Sequence, residues 1–178
     1  TKKQHEVKGK IIIHMDPNME TRSIVLTYSF DDFFIDDKKI EGTVEKKRLR
    51  SNAKGNPESQ INKNVKIIWD KGAYVTIEGL RTREWIEGKD NKLWGDNVFS
   101  ITGNWIISKK NGDIFTSTIK KPLIRSLACR FIISGIVELK KADKTSQLDY
   151  GDGACDDKAT ITKNGKSYEI QIRKKKRK

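Results

Sequence analysis

The chain has 178 residues, of which 35% are hydrophobic and 34% are charged, and its formal net charge is +13. Four Trp, four Tyr and six Phe are more aromatic residues than an intrinsically disordered chain of this charge carries. No run of about 18 apolar residues occurs, which excludes a transmembrane helix in this sequence. Length and composition together predict one folded domain over residues 1–178.

The positive charge is concentrated near the carboxyl end, where six of the thirteen net charges lie in residues 173–178. A terminal charge run of this kind is typical of a solvated tail. The alternative is a contact with polyanions such as nucleic acid, lipopolysaccharide or acidic glycans. The basic tail supplies six candidate binding residues, which are Arg173, Lys174, Lys175, Lys176, Arg177 and Lys178.

Alternating β-branched and aromatic residues run through most of the chain and predict strands. An N-terminal strand or arm comes first, over residues 1–20, with a strand-like centre at Ile11–Met15. The predicted strands that follow are residues 24–30, 33–35, 65–69, 74–77, 98–107, 114–119, 131–139 and 160–172. No window has the spacing of an amphipathic helix. We therefore expect an all-β domain, an antiparallel meander of about ten strands that forms a sandwich or an open barrel.

Three turns and one long loop divide the predicted strands. Asp70–Gly72 is typical of a hairpin turn, and Asn-Gly occurs in both Lys110–Asp113 and Lys163–Lys166. Asn-Gly favours positive φ at both central positions, so it predicts type I′ turns. The polar stretch 49–64 is predicted to be a flexible loop.

Four glycines each follow an isoleucine by two positions: Gly42, Gly79, Gly103 and Gly135. Glycine inside a strand often marks a bulge or a close approach of two backbones. The recurrence predicts hairpins that bend at similar points. Four unrelated glycines in a β-rich sequence remain the alternative.

Residues that could carry catalysis are sparse. His5 and His14 are the only histidines, and neither lies in a pattern typical of a nucleophile and its base. Zinc-site spacings and nucleotide-binding glycine loops are missing from the sequence. A carbohydrate-active hydrolase needs only two carboxylates about 5–10 Å apart, which a sequence cannot reveal. The candidates for such a pair are Glu78, Glu84, Glu87 and Asp96.

The stretch 149–157 combines acidic residues with glycines. Its carboxylates could hold Ca²⁺, although their spacing does not match an EF-hand loop. The other interpretation is a tight turn in which Asp side chains accept hydrogen bonds from backbone N–H groups. The residues concerned are Asp149, Asp152, Asp156 and Asp157.

Arg81, Arg83 and Trp85 share one face of a predicted strand, because they alternate with Thr82, Glu84 and Ile86. Such a set can form a platform that stacks bases or sugars. It can also be a structural cation–π ladder between strands.

The chain contains two cysteines, Cys129 and Cys155. If the segment between them forms a hairpin, both sulfurs return to the same end of the sheet. A disulfide bond formed in an oxidising compartment and a pair of buried free thiols are both compatible with this spacing.

Several segments resemble an uncharacterised family of secreted lipoproteins of the Bacteroidota. The similar segments are residues 30–42, 81–88, 101–103, 122–123, 129–135 and 149–156. The resemblance implies a location in the periplasm, in the outer membrane or outside the cell, with a lipid anchor upstream of Thr1. It also implies an oxidised Cys129–Cys155 pair, and it implies no catalytic residue and no cofactor.

The sequence favours a non-enzymatic envelope or secreted protein that binds a polyanionic or glycan partner through a sheet face or the basic tail. One alternative is a small β barrel that binds nucleic acid by stacking bases on aromatic residues. The other is the carboxylate-dependent hydrolase.

Overall fold

The computed structural model describes residues 5–172, so the predicted basic tail, 173–178, lies outside the described residues. The described chain is all-β and contains eleven antiparallel strands. They are β1 (Val7–Asn18), β2 (Ser23–Ile35), β3 (Lys38–Leu49), β4 (Glu58–Trp69), β5 (Tyr74–Glu87), β6 (Val98–Lys109), β7 (Ile114–Ser126), β8 (Ser134–Lys141), β9 (Lys144–Asp152), β10 (Lys158–Lys163) and β11 (Lys166–Gln171).

Each strand pairs with the next one in chain order, so the eleven strands form one continuous sheet from β1 to β11. The two edge strands, β1 and β11, do not pair with each other, and the sheet does not close into a barrel. This arrangement confirms the predicted all-β meander in the form of a single open sheet. Between residues 5 and 172 the chain forms no apolar helix that could cross a bilayer.

The register sorts the side chains of the sheet by polarity. Tyr28 lies opposite Val44, and Ile77 lies opposite Ile107. Because alternate residues point to opposite faces, one face carries most of the Ile, Val, Phe and Trp side chains. The other carries mostly Thr, Ser, Asn and charged residues. We call the first the apolar face. Five of the most buried residues belong to it, namely Phe33, Val65, Ile101, Val137 and Ala159.

Much of the apolar face is only partly covered. The chain exposes 12999 Å² of surface, whereas a compact protein of 20.4 kDa exposes about 8,800 Å². No large side chain is completely buried among the described residues. A one-layer architecture explains the excess surface, because the side chains of the apolar face pack mainly against side chains of neighbouring strands and no second layer covers them.

Glycines allow neighbouring strands to approach closely at defined points. All four glycines of the predicted pattern have positive φ. A Cβ atom on Gly103 would lie 2.1 Å from the carbonyl oxygen of Leu80, and one on Gly42 would lie 2.1 Å from that of Asn64. No other residue fits at these positions without a shift of the backbone. The predicted close approach of backbones is therefore confirmed.

The connections alternate between the two ends of the sheet, because successive strands run in opposite directions. Tight turns gather at one end, which we call the tight-turn end: residues 36–37, 70–73, 110–113, 142–143 and 164–165. Longer connections gather at the other end, which we call the loop end: residues 19–22, 50–57, 88–97, 127–133 and 153–157.

The two Asn-Gly hairpins are confirmed, but their turns differ. Asn164 and Gly165 both have positive φ, as a type I′ turn requires. In the other hairpin only Gly112 has positive φ, and the Lys109 N–H donates to the Asp113 carbonyl. The loop enclosed by that hydrogen bond has three residues, 110–112, instead of two, and its last residue, Gly112, has the left-handed conformation. The predicted type I′ geometry was therefore wrong there.

The predicted loop 49–64 is shorter than the sequence suggested, because Glu58–Asn64 belongs to β4. The remaining loop, 50–57, is tied to β5 through Glu84. Asn52 and Asn56 each donate a side-chain hydrogen bond to the Glu84 carboxylate, at 2.9 and 3.0 Å. Lys54 lies 3.3 Å from its other oxygen. These hydrogen bonds hold the pKa of Glu84 below its ordinary value, and the bond from Asn52 has the largest effect.

Because the pKa of Glu84 is lowered in the folded state, the stability that Glu84 contributes depends on pH. The stabilisation by Glu84 is complete above the ordinary pKa of a glutamate, and it is lost as the pH falls through the lowered pKa. Urea unfolding from about pH 7 to about pH 3 is expected to show this loss, about 1 kcal/mol, in the natural protein but not in Glu84→Gln. Glu87→Gln, which changes an exposed carboxylate of the same strand, is the control. Equal pH profiles for the natural protein and Glu84→Gln would contradict the assignment.

Candidate functional site

The most unusual feature of the sheet is a line of lysines across the apolar face at the tight-turn end. Each lysine is the last residue of its strand before a tight turn or the first residue after one. The pairing places them on one face, since Lys141 lies opposite both Phe115 and Lys144, and Lys163 lies opposite Lys166. We call this line the basic row: Lys109, Lys141, Lys144, Lys163 and Lys166.

Phe115 lies within the basic row and contacts two of its members. The ring centroid of Phe115 lies 5.0 Å from the Lys109 Nζ and 4.8 Å from the Lys141 Nζ. Cation–π contacts of this kind orient the ammonium groups without neutralising them. The row therefore keeps its charge available for a ligand.

Carboxylates offset little of this charge. Residues 109–113, 140–144 and 163–166 contain seven lysines and two aspartates. Asp113 lies 3.7 Å from Lys141. Within the described part of the chain, Lys144, Lys163 and Lys166 form no ion pair. Like charges directly opposite each other destabilise an antiparallel sheet, so the arrangement does not serve the stability of the fold.

An apolar cavity of about 400 Å³ opens beside the basic row. Trp105, Ile107 and Leu139 contribute its apolar wall, and Lys141, Lys144 and Lys163 contribute its charged rim. A second cavity, of about 850 Å³, lies on the other side of Lys109, against Trp69 and Val75. Aromatic walls and ammonium groups thus alternate along this end of the sheet.

No known protein family, curated protein or solved structure matches this chain.

The predicted stacking residues lie on the apolar face nearer the loop end. The Arg83 guanidinium lies 4.8 Å from the centroid of the Phe99 ring, and Trp85 packs against the same ring at 5.8 Å. The Trp85 Nε1–H donates to the Glu87 carbonyl at 2.6 Å. Arg81 is exposed beside this group. Arg83 on β5 and Phe99 on β6 thus form a cross-strand cation–π contact. A binding role for Arg81, Arg83 and Trp85 stays a prediction.

The acidic turn uses its side chains for local hydrogen bonds. Asp149 accepts from the backbone N–H of Gly151 at 2.9 Å, and Asp156 accepts from that of Lys158 at 3.0 Å. No three His, Cys, Asp or Glu side chains of residues 5–172 converge on a metal position. The contacts of Asp149 and Asp156 match the predicted turn, and Asp152 and Asp157 join no cluster of three metal ligands among the described residues.

The two cysteines form a disulfide bond, with Cα atoms 5.6 Å apart. β8 and β9 form the hairpin between them, so both sulfurs return to the loop end, as predicted. Cys129 is buried at 3% exposure. The bond joins the 127–133 loop to the 153–157 loop.

The other candidate residues lie apart from the basic row. The His5 Nδ1 lies 2.9 Å from an Asp36 carboxylate oxygen, and His14 is exposed on the edge strand β1. The Asn91 side chain donates to Asp96 at 2.6 Å. Glu84 holds the 50–57 loop, and Glu78 and Glu87 are exposed. The carboxylate-dependent hydrolase stays a prediction.

Reasoning from sequence missed the basic row, although a signal for it was present. Lysines flank the predicted hairpin turns in Lys109-Lys110-Asn111-Gly112 and in Lys163-Asn164-Gly165-Lys166. In a meander, every second turn lies at the same end of the sheet. Together, these two facts place the flanking lysines at one end of the sheet.

Proposed function

We propose that this protein is a non-enzymatic binding protein of the cell envelope or of the secreted compartment, and that its ligand is an acidic glycan or a similar polyanion. The observation that carries the proposal is the basic row, in which Lys141 lies opposite Lys144 and Lys163 lies opposite Lys166. Of these four, only Lys141 forms an ion pair within the described chain. A ligand with repeating negative charges would relieve their mutual repulsion.

The proposed location rests on the disulfide bond. Disulfides persist in oxidising compartments and are rare in the cytosol. The resemblance to secreted Bacteroidota lipoproteins agrees with this location and adds the proposal of a lipid anchor upstream of Thr1. Sequencing the precursor tests the anchor, and a coding sequence without an export signal would overturn this part of the proposal.

Charge-removal variants test the binding site. Lys144→Gln, Lys163→Gln and Lys166→Gln, combined in one protein, are expected to weaken heparin binding about tenfold or more, because three surface contacts are lost. Lys10→Gln, Lys92→Gln and Lys121→Gln remove the same charge from exposed positions outside the basic row. This control is expected to change the affinity far less.

Heparin-column retention and titration calorimetry measure the difference. Equal losses in the two triple variants would show a non-specific effect of net charge and would overturn the proposal. Deletion of residues 173–178 separates the row from the predicted tail. If that deletion alone abolishes retention, the tail and not the row binds the polyanion.

A further inference from the structure

We infer that the basic row also binds anionic amphiphiles, with the charged group on the lysines and the hydrocarbon chain along the adjacent apolar face. This inference rests on the proposed function, because it assigns the anionic ligand to the same lysines. It adds a second contact surface, which a purely polar glycan does not require.

Apolar residues continue from the basic row toward the middle of the sheet. Ile107 and Trp105 follow Lys109 along the apolar face of β6, and Leu139 and Val137 follow Lys141 in β8. Along β10 and β11 the same positions are held by Ile161, Ala159, Tyr168 and Ile170. A chain that leaves the lysines in the direction of the strands therefore meets mainly hydrocarbon and aromatic surface.

These apolar side chains are exposed next to the row. Ile107, Leu139, Tyr168 and Ile170 keep 36%, 37%, 54% and 36% of their surface accessible. Exposed apolar patches mark surfaces that bind a partner. An adjoining row of cations selects a partner that is negatively charged at one end.

A second copy of the chain is a poorer occupant than an amphiphile. Another copy packed against the apolar face would cover the hydrocarbon surface, but the loop end of that face is basic as well, since it carries Lys46, Arg48 and Arg83. Its own tight-turn end is as basic as this one. An acyl chain with a phosphate or carboxylate head can contact the basic row with its head and the apolar face with its hydrocarbon chain.

Three probes separate the contributions of head and chain. Oleoyl-lysophosphatidic acid below its critical micelle concentration carries both, glycerol 3-phosphate carries the head alone, and monoolein carries a neutral head with the same chain. By titration calorimetry with the natural protein, the first is expected to bind at least about tenfold more tightly than either of the others. Equal affinity for glycerol 3-phosphate would overturn the role of the apolar face.

Matched substitutions then show which face of the sheet contacts the hydrocarbon chain of the ligand. Ile107→Thr combined with Leu139→Thr is expected to weaken lysophosphatidic acid binding about tenfold and to leave heparin retention unchanged. Leu80→Thr combined with Ile114→Thr alters exposed apolar residues of the opposite face and is expected to have no effect. Equal losses from the two pairs would overturn the inference.

The outcomes distinguish the inference from the proposed function. If the lysine variant loses heparin but the natural protein does not prefer the amphiphile, only the inference fails. If the lysine variant loses neither ligand, the proposed function fails as well. Light scattering that shows a lipid-free dimer, dissociated by the Ile107 and Leu139 substitutions, would assign the apolar face to a second copy and overturn the inference.

Discussion

Replacing both Cys129 and Cys155 by serine is expected to lower the free energy of unfolding by about 3 kcal/mol. The bond closes a loop of about 25 residues, and cross-linking such a loop removes conformational entropy from the unfolded chain. In the folded chain it joins the 127–133 loop to the 153–157 loop, and each of these loops is flanked by paired strands. Since the single-layer sheet buries few side chains completely, this contribution is a large share of the total stability.

Urea unfolding with and without dithiothreitol measures the effect of the bond. The natural protein is expected to lose stability on reduction, and the double serine variant is expected to be insensitive to the reagent. A thiol count on the unfolded, unreduced natural protein is the direct control and is expected to find no free thiol. Two reactive thiols, or equal urea midpoints in the oxidised natural protein and the variant, would contradict the structure.

Gly103→Ala is expected to destabilise the protein by about 3 kcal/mol or more. The residue has a φ of 137°, which only glycine adopts without strain. A Cβ atom would also lie 2.1 Å from the Leu80 carbonyl oxygen and 2.8 Å from the Arg81 Cα, both on the adjacent β5. Because both contacts are to backbone, relief requires the strands to separate and costs their hydrogen bonds.

Gly95→Ala is the matched control for this substitution. Gly95 lies in the 88–97 loop and does not have a positive φ, and a Cβ atom added to it would meet no other atom within 4 Å. The change is expected to be neutral or slightly stabilising, because alanine restricts the unfolded chain. Thermal and urea unfolding of both variants test the difference, and a Gly103→Ala protein as stable as Gly95→Ala would refute the close approach of β5 and β6.

The strands with β-branched and aromatic side chains could be predicted from sequence, whereas the charged strands could not. β3 contains Lys46-Lys47-Arg48 and the first half of β4 is polar, so neither shows the hydrophobic signal of a strand. In a one-layer sheet no second layer covers either face, so charged residues are tolerated even on the apolar face, where Lys46 and Arg48 lie opposite Leu26 and Ile24.

The binding site was harder to predict because it depends on register. The sequence shows that lysines flank tight turns, but it does not show which lysines share a face or which ring lies between them. Arg83 illustrates the same limit. Its position beside Trp85 was visible in the sequence, while its contact with Phe99 of the next strand follows only from the pairing of β5 with β6.

Lysine footprinting tests the central claim most directly. The intact protein is acetylated with an amine-reactive ester in the presence and absence of heparin, and the modification of each lysine is read by mass spectrometry. Heparin is expected to protect Lys109, Lys141, Lys144, Lys163 and Lys166 while leaving Lys10, Lys92 and Lys121 as reactive as before. Protection confined to residues 173–178, or spread evenly over all exposed lysines, would contradict a binding site on the basic row.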